Sequence, residues 1–292
     1  MMKRSILLSV LLILSITLQA QKEKYIRNDL LLDKAHTLAA QSPGTALVYY
    51  DSAFVLIKWN GSDYLEAAIT ALGAGRDDRA NNLLIAGAEN GLDPWIFYIP
   101  ILKEFLASDR SQPFVNTWDY MKQRFNAHAD TASIHEIEWI IEMRRNNPET
   151  AAPLANIDSI CFDRTIELTR RSGFPSPMTV GPSINAVYFM LVANEPTYPD
   201  GSQWKEILPA IQAAIASGRI SPSFLCELED LRSLHLGRPI KYGTLIGSWL
   251  GKKGIVKPER SVLNRDRASV GLGPVEDLAV QHDLDPVTLE PK

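Results

Sequence analysis

The residues whose types and spacing could do chemistry lie at the end of one predicted helix and on the strand predicted to follow it. They are Asp230, Arg232, His235, Tyr242, Gly243 and Thr244. A carboxylate near a helix end can orient a neighbouring arginine or histidine, and a tyrosine hydroxyl can donate a hydrogen bond to a polar ligand. A glycine beside the tyrosine lets such a ligand approach the backbone closely. These six residues form the candidate binding site.

The same residues also have a structural explanation, which we favour. Asp230 could pair with Arg232, and Tyr242 could tether the strand to the helix, because paired charges and buried tyrosines are common structural devices. The sequence alone leaves both roles open. Two arginines further along the chain, Arg265 and Arg267, are expected at the surface or beside nearby carboxylates.

Other catalytic and cofactor motifs fail on their spacing. His135-Glu136-Ile137-Glu138-Trp139 begins like a His-Glu-x-x-His zinc motif but has tryptophan in place of the second ligand. Gly247-Ser248-Trp249-Leu250-Gly251 puts its serine one position too early for a nucleophile elbow. The chain also has no phosphate-binding glycine loop before a lysine and no dinucleotide fingerprint. The sequence therefore predicts neither a metal ion nor a cofactor.

The chain has two cysteines, Cys161 and Cys226. In an oxidising compartment they could form one disulfide between two helices of the C-terminal half. Alternatively, they are small buried hydrophobic residues that never meet. Neither lies in a Cys-x-x-Cys or metal-ligand spacing, so a redox or zinc role is not expected.

The elements that must position these residues are predicted to be mainly helices. Two apolar stripes at helical spacing are Tyr64, Ala67, Ala68, Ala71 and Leu72, and then Ala80, Leu83, Leu84, Gly87 and Ala88. The small residues on both stripes would let two antiparallel helices approach closely. This hairpin, within residues 27–107, resembles tetratricopeptide-type helical repeats. The resemblance implies a concave surface for a peptide or protein partner, and the alternative is a helical platform packed against a second domain.

The C-terminal half reads as a mostly helical domain with a small β-hairpin near its end. Helices are predicted at about 158–171, 184–193, 204–215 and 221–234. From Lys241 the pattern changes, and Tyr242–Leu250 and Ile255–Pro258 are predicted to pair across a Gly-Lys-Lys-Gly turn. A last short helix is expected between Ser261 and Val270.

Several short motifs in this half keep a common order: Gly173-Phe174-Pro175, Val180-Gly181, Gly237-Arg238-Pro239-x-x-Tyr242-Gly243-Thr244, and Asn264-Arg265-x-Arg267-x-x-x-Gly271-Leu272-x-Pro274. With them, roughly residues 130–280 resemble a bacterial family of exported domains of unknown function. The resemblance implies a fold and no reaction. Members tend to carry polar residues where this chain has Ile140-Ile141-Glu142, Ala193-Asn194 and Ile240. The resemblance therefore implies that any site of that family is weakened or lost here.

The beginning of the chain predicts export. Lys3 and Arg4 precede an apolar run over 6–18 that ends at Leu18-Gln19-Ala20, which is the pattern of a cleavable signal peptide. We therefore expect cleavage near Ala20 and a periplasmic or extracellular protein. The predicted organisation is a signal peptide at 1–20, a tetratricopeptide-like region at 21–125, a helical domain at 126–280 and a loose tail at 281–292.

Composition excludes several classes of protein. With 46% hydrophobic and 22% charged residues among 292, the chain is globular rather than disordered. Its net charge of −4, with both signs well mixed, lacks the basic surface of a nucleic-acid-binding protein. No second apolar run reaches membrane-spanning length, so we expect no membrane span in the mature chain.

Two functions of different class follow from these residues. The first is a non-catalytic binding or scaffolding protein of the bacterial cell envelope, which would need an exposed apolar or aromatic groove on residues 27–107. The second is a hydrolase-like enzyme of the C-terminal domain, which would need Asp230, His235 and Tyr242 to converge in a pocket. We favour the first.

Overall fold

The computed structural model describes residues 2–58, 61–146, 154–194, 201–246 and 256–281. Its N-terminal helices are α1 (Met2–Ala39), α2 (Pro43–Leu56), α3 (Gly61–Gly73), α4 (Asp77–Glu89), α5 (Pro100–Leu106), α6 (Gln112–Val115) and α7 (Trp118–Asn126). The later helices are α8 (Thr131–Arg145), α9 (Leu154–Ser172), α10 (Pro177–Val180), α11 (Ile184–Asn194), α12 (Ser202–Ala216), α13 (Cys226–His235), α14 (Arg260–Ala268) and α15 (Val275–Gln281). The protein is mainly α-helical, as the sequence predicts.

The predicted β-hairpin is not confirmed. Within the described ranges the structure has no strand, and residues 242–246 form turns where the first strand was expected. The middle of the hairpin, residues 247–255, lies outside the described residues. The two flanking segments do meet, because the Ile240 N–H donates to the Val256 carbonyl at 3.0 Å.

The first four helices pack in chain order, with α1 on α2, α2 on α3 and α3 on α4. The two predicted stripes are the buried faces of α3 and α4, since the following residues all lie in the core: Tyr64, Ala67, Ala68, Ala71, Ala80, Leu83, Leu84 and Ala88. Alanine at so many contact positions allows close approach of the helices, as expected. A 3₁₀ turn at Pro94–Tyr98 leads from this group to α5.

A second core forms around α9, which contacts α8, α11 and α12. Its largest buried side chains include Phe162, Phe174 and Trp204, and the rings of Phe162 and Trp204 lie 5.3 Å apart. Trp204 begins the stripe predicted for α12, and Ile207 and Ile211 of that stripe are also buried. The described residues of this cluster run from 134 to 228, whereas those of the N-terminal cluster run from 31 to 121.

Helix α1 connects the two halves through a row of polar side chains. Tyr25, Asp29 and Asp33 are spaced by four residues, so they lie along one face of the helix. Their partners are, in order, the Arg219 carbonyl, the hydroxyls of Ser221 and Ser223, and the Gly273 amide. Two separate segments of the C-terminal half, residues 219–223 and the turn at Gly273, are therefore hydrogen-bonded to the same helix.

The predictions for the two ends of the chain are not settled by the structure. Residues 2–20 form the first part of α1, which continues without a break to Ala39, so the signal peptide and its cleavage near Ala20 stay predictions. The tail predicted from residue 281 lies outside the described residues apart from Gln281 itself, the last residue of α15. Among the helices described, none combines the length and the apolar character that crossing a membrane requires.

Candidate functional site

Asp230 is fully buried and is surrounded by the loop that follows α13. Its Oδ1 accepts the N–H groups of Lys241 and Tyr242 at 2.7 and 2.9 Å. Its Oδ2 accepts the N–H and the hydroxyl of Thr244 at 2.7 and 2.8 Å. Four donors on one carboxylate are enough to stabilise its charge away from water. Asp230 therefore holds the loop in place.

A buried arginine holds the same loop from the other side. Arg267 of α14 is 3% exposed, and its Nη1 donates to the Tyr242 carbonyl at 2.8 Å while its Nε donates to the Gly273 carbonyl. Burial lowers the pKa of the Arg267 guanidinium, and nearby carboxylates such as Asp33 and Asp230 oppose that shift. Arg267 is thus a core residue, whereas Arg265, which pairs with Asp266, is at the surface.

The other candidate residues have mixed positions. Tyr242 is 5% exposed, and its burial raises its pKa to about 12, so the phenol stays protonated at neutral pH. Gly243 is buried against Ile246 and Leu263. His235 is exposed at the end of α13 and Arg232 is half-buried. Asp230, Tyr242 and Thr244 are therefore brought together by two backbone N–H groups and the Thr244 hydroxyl, which all hold the loop to Asp230.

Of the two alternatives for the cysteines, the structure has the second, two buried side chains that do not form a disulfide. Cys161 and Cys226 are both free and both buried, in different hydrophobic clusters. Their thiols lie against the carbonyls of Ile140 and Pro222. Burial raises the pKa of Cys161 to about 11 and that of Cys226 further, so both stay as thiols and pack as small apolar side chains.

An open cleft lies where α8 faces the 3₁₀ turn at 94–98. Glu138, Ile141, Glu142 and Arg145 are spaced i, i+3, i+4 and i+7 on α8 and line a cavity of about 550 Å³. The opposite wall includes Trp95, whose side chain is 66% exposed. We call this cavity the Trp95 cleft.

Asp93 fixes the position of the tryptophan. It precedes the 3₁₀ turn, and its Oδ1 accepts the Trp95 N–H at 2.8 Å, which is the geometry of a helix cap. Asp93 also lines the cleft, so the described lining carries three carboxylates, including Glu138 and Glu142, against one guanidinium, that of Arg145. An exposed indole next to excess negative charge can bind a cation and apolar groups together.

Beyond the cleft the aromatic surface continues. Tyr98 and Ile101 are 76% and 63% exposed, and the rings of Trp95 and Tyr98 lie 6.1 Å apart. These residues lie within the range 27–107, where an exposed apolar groove was required by the binding hypothesis. Large side chains exposed as neighbours are typical of interaction surfaces.

A second cavity lies where α1 meets the C-terminal half. It has a volume of about 270 Å³, and its polar lining includes Tyr25, Asn28, Asp29, Ser221 and Ser223. We call it the Asn28 pocket.

The carboxylate of the Asn28 pocket is already hydrogen-bonded. Asp29 Oδ2 accepts both serine hydroxyls, and its Oδ1 accepts the Asn28 amide at 3.1 Å. Burial nevertheless raises the pKa of Asp29 above its usual value.

Asn28 itself is only partly satisfied. It is 4% exposed, and its Oδ1 has no hydrogen-bond partner in the described chain. A buried acceptor left in this state costs about 1–3 kcal/mol.

Both cavities were missed by the sequence analysis, although each left a signal. The i, i+3, i+4, i+7 spacing of the α8 residues predicts one shared helix face, and Asp93-Pro94 predicts the start of a helical turn before Trp95. The spacing of Tyr25 and Asp29 likewise gives one face of α1. Nothing in the sequence shows which distant segment each face would meet.

Among the described side chains, no three histidine, cysteine, aspartate or glutamate residues converge to hold a metal ion. Comparisons of the chain with models of protein families, with curated proteins and with solved structures each found no match.

Proposed function

We propose that the mature chain is a non-catalytic binding protein of the bacterial cell envelope that holds an exposed segment of a partner protein in the Trp95 cleft. The observation that carries this proposal is the 66% exposure of Trp95 at the wall of an acidic cavity. The partner segment carries a lysine or arginine flanked by apolar side chains.

The chemistry of the cleft supports this choice of partner. A lysine or arginine beside the indole gains a cation–π interaction and is attracted by Glu138 and Glu142. Flanking apolar residues cover Ile141 and the exposed ring, which removes apolar surface from water. An acidic segment would meet three carboxylates and be repelled.

The helices that precede Trp95 in the chain would form the scaffold of the cleft. We infer that α1–α4 act as tetratricopeptide-like hairpins, supported by their packing in chain order and their alanine-rich contacts. The β-hairpin over 242–258 and the likeness of residues 130–280 to an exported bacterial family remain part of the proposal. The apolar run before Ala20 supports export to the envelope.

The test uses purified chain from Gln21 and a pair of fluorescent peptides. One is acetyl-Gly-Leu-Lys-Leu-Gly-amide, and the other has glutamate in place of lysine. Fluorescence anisotropy should show saturable binding of the lysine peptide that weakens as salt is added, because the attraction is partly electrostatic. The glutamate peptide should not bind.

Two variants locate the binding. Trp95→Ala should weaken the lysine peptide by about tenfold, as expected for the loss of a tryptophan at an interface. Tyr120→Ala is the matched control, because Tyr120 is a similarly exposed aromatic residue (59%) that does not line the cleft. Equal binding of the two peptides, or equal effects of the two variants, would overturn the proposal.

A further inference from the structure

The Asn28 pocket differs from the Trp95 cleft in its chemistry, and Asn185 is the one residue described as lining both. Its floor is one turn of α1, and its sides are the Ser221–Ser223 turn and the start of α11. Apolar side chains complete the wall, namely Ile57, Pro177, Ile184, Ile220 and Phe224. A ligand here would place its body against apolar groups and its polar end against α1.

The polar end of that ligand must be a hydrogen-bond donor. Asn28 Oδ1 is a buried acceptor that has no partner in the described chain, and Asn28 lines the cavity. Rotating the Asn28 side-chain amide by 180° would place its oxygen next to Asp29 Oδ1, which is also an acceptor. The present orientation, in which Asn28 Nδ2 donates to Asp29 Oδ1, is therefore the favourable one.

The hydroxyl groups of the pocket have already used their protons. Both serine hydroxyls donate to Asp29, and the Tyr25 hydroxyl donates to the Arg219 carbonyl at 3.2 Å. The Tyr188 hydroxyl donates to Glu227. These atoms keep lone pairs that can accept further hydrogen bonds. The end of the pocket formed by α1 and the two serines therefore offers mainly acceptors, while the Asn185 amide adds a donor at the start of α11.

The charge of the pocket favours a cation among the donors. Asp29 lies at its polar end, Glu227 accepts the hydroxyl of the lining residue Tyr188, and the residues described as lining the pocket include no lysine or arginine. The groups that shift the pKa of Asp29 are burial, two serines, Asn28 and the carboxylate of Asp33, with no basic side chain among them. A bound cation would supply the missing counter-charge.

We infer that the Asn28 pocket binds a protonated primary amine carried on a short apolar body. The ammonium group donates to Asn28 Oδ1 and Asp29, and the apolar body packs against Ile184, Ile220 and Phe224. An ammonium group has three donors and no acceptor, which matches a pocket of acceptors.

The probe for this site is 2-phenylethylamine, with 3-phenylpropanoate as its anionic counterpart of similar shape. Thermal unfolding of the chain from Gln21 is followed at increasing probe concentration. The amine should raise Tm by about 3 °C at ten times its Kd. The carboxylate should leave Tm unchanged.

Two variants test the assignment of the site. Asn28→Leu removes the unpartnered acceptor while keeping a side chain of similar size, so it should fold and lose the response to the amine. Asp29→Asn keeps an acceptor for the serines and removes the charge, and it should also lose the response. Trp95→Ala should keep it, which separates this site from the cleft. Retention of the response in both pocket variants, or an equal response to the carboxylate, would overturn the inference.

Discussion

A fully buried carboxylate keeps its charge only where hydrogen bonds replace the water that it has lost. At Asp230 four hydrogen-bond donors come from residues 241–244, so one side chain fixes the path of one loop. Arg267 holds the Tyr242 carbonyl in the same loop, so the two buried charges act on the loop together.

Asp230→Asn is therefore expected to lower the free energy of unfolding by about 3 kcal/mol, because the amide nitrogen would face backbone N–H donors and Arg267 would lose a nearby negative charge. Urea unfolding followed by circular dichroism measures this change. Asp119→Asn, which alters an exposed aspartate of α7, should change it by less than about 0.5 kcal/mol. Equal midpoints for the two variants would show that the loop does not depend on this carboxylate.

The sequence identified Asp230, Tyr242 and Thr244 as a group but could not show what joins them. The three residues do meet, yet two of the contacts are made by backbone amides, which every residue other than proline carries and which no motif reveals. Arg267 was expected at the surface or beside carboxylates, and it is buried because the chain after α14 turns back and presents the Gly273 carbonyl to it.

At the scale of elements, α8 carries one wall of the Trp95 cleft and begins at a well-formed cap. Asp130 Oδ1 accepts the Ser133 N–H at 3.0 Å, and its Oδ2 accepts the Ser133 hydroxyl. These hydrogen bonds, that of the hydroxyl first, lower the pKa of Asp130 below its usual value. The carboxylate form is therefore the one that stabilises the helix.

Asp130→Ala should lower the free energy of unfolding by about 1 kcal/mol at pH 7, as is usual for the loss of a helix cap. Because the pKa of Asp130 is lower in the folded than in the unfolded chain, its stabilisation is complete above the usual aspartate pKa. It is lost as the pH falls through the lowered value. The difference between variant and wild type should therefore shrink as the pH falls below the usual aspartate pKa.

Urea unfolding at a series of pH values measures that difference. Asp78→Ala, at an exposed first-turn residue of α4 with no capping bond among its contacts, should cost only about 0.3 kcal/mol. A difference for Asp130→Ala that stays constant with pH would contradict the cap.

Elements with a long helical stripe were predictable, whereas of the short helices near the C-terminus α14 was predicted and α15 was not. The stripes of α3, α4 and α12 were read from their spacing, because three or four turns of burial on one side leave a clear period. Helix α15, with seven residues, is too short to leave such a period and was missed. The segment at 242–246 has one glycine among aromatic and aliphatic residues, a composition that suits a strand or a turn. In the structure the N–H groups of Tyr242 and Thr244 are hydrogen-bonded to Asp230 and not to a neighbouring strand.

At the scale of the whole molecule, α1 is the element on which both halves depend. It packs on α2 in the N-terminal half and contacts α12 and α15 in the C-terminal half. The domain boundary predicted near residue 125 separates the two halves along the sequence. Helix α1 lies before that boundary but packs against both halves. Helical periodicity could predict the faces of α1, whereas its contact with residues 240 positions away could not be read from any local pattern.

The backbone of α1 lies close to the C-terminal segment at Gly271, and this contact gives the last prediction. Gly271 has φ +89°, and a Cβ added there would lie 3.0 Å from the backbone of Ile26. Gly237 has φ +63°, and a Cβ added there would have no atom within 4 Å. The substitution Gly237→Ala therefore measures the cost of the backbone conformation alone. Gly237→Ala should lower the free energy of unfolding by about 1 kcal/mol.

Gly271→Ala carries the same conformational cost and must also push α1 away. It should therefore lower the free energy of unfolding by about 1 kcal/mol or more beyond the effect of Gly237→Ala. Hydrogen exchange gives the second measurement, because α1 should lose protection around Ile26 in Gly271→Ala and keep it in Gly237→Ala. Equal losses of stability with unchanged exchange in α1 would mean that the helix is not held at this point. The expected result would instead show that α1, which forms the floor of the Asn28 pocket, is held in place by its close contact with the segment at Gly271.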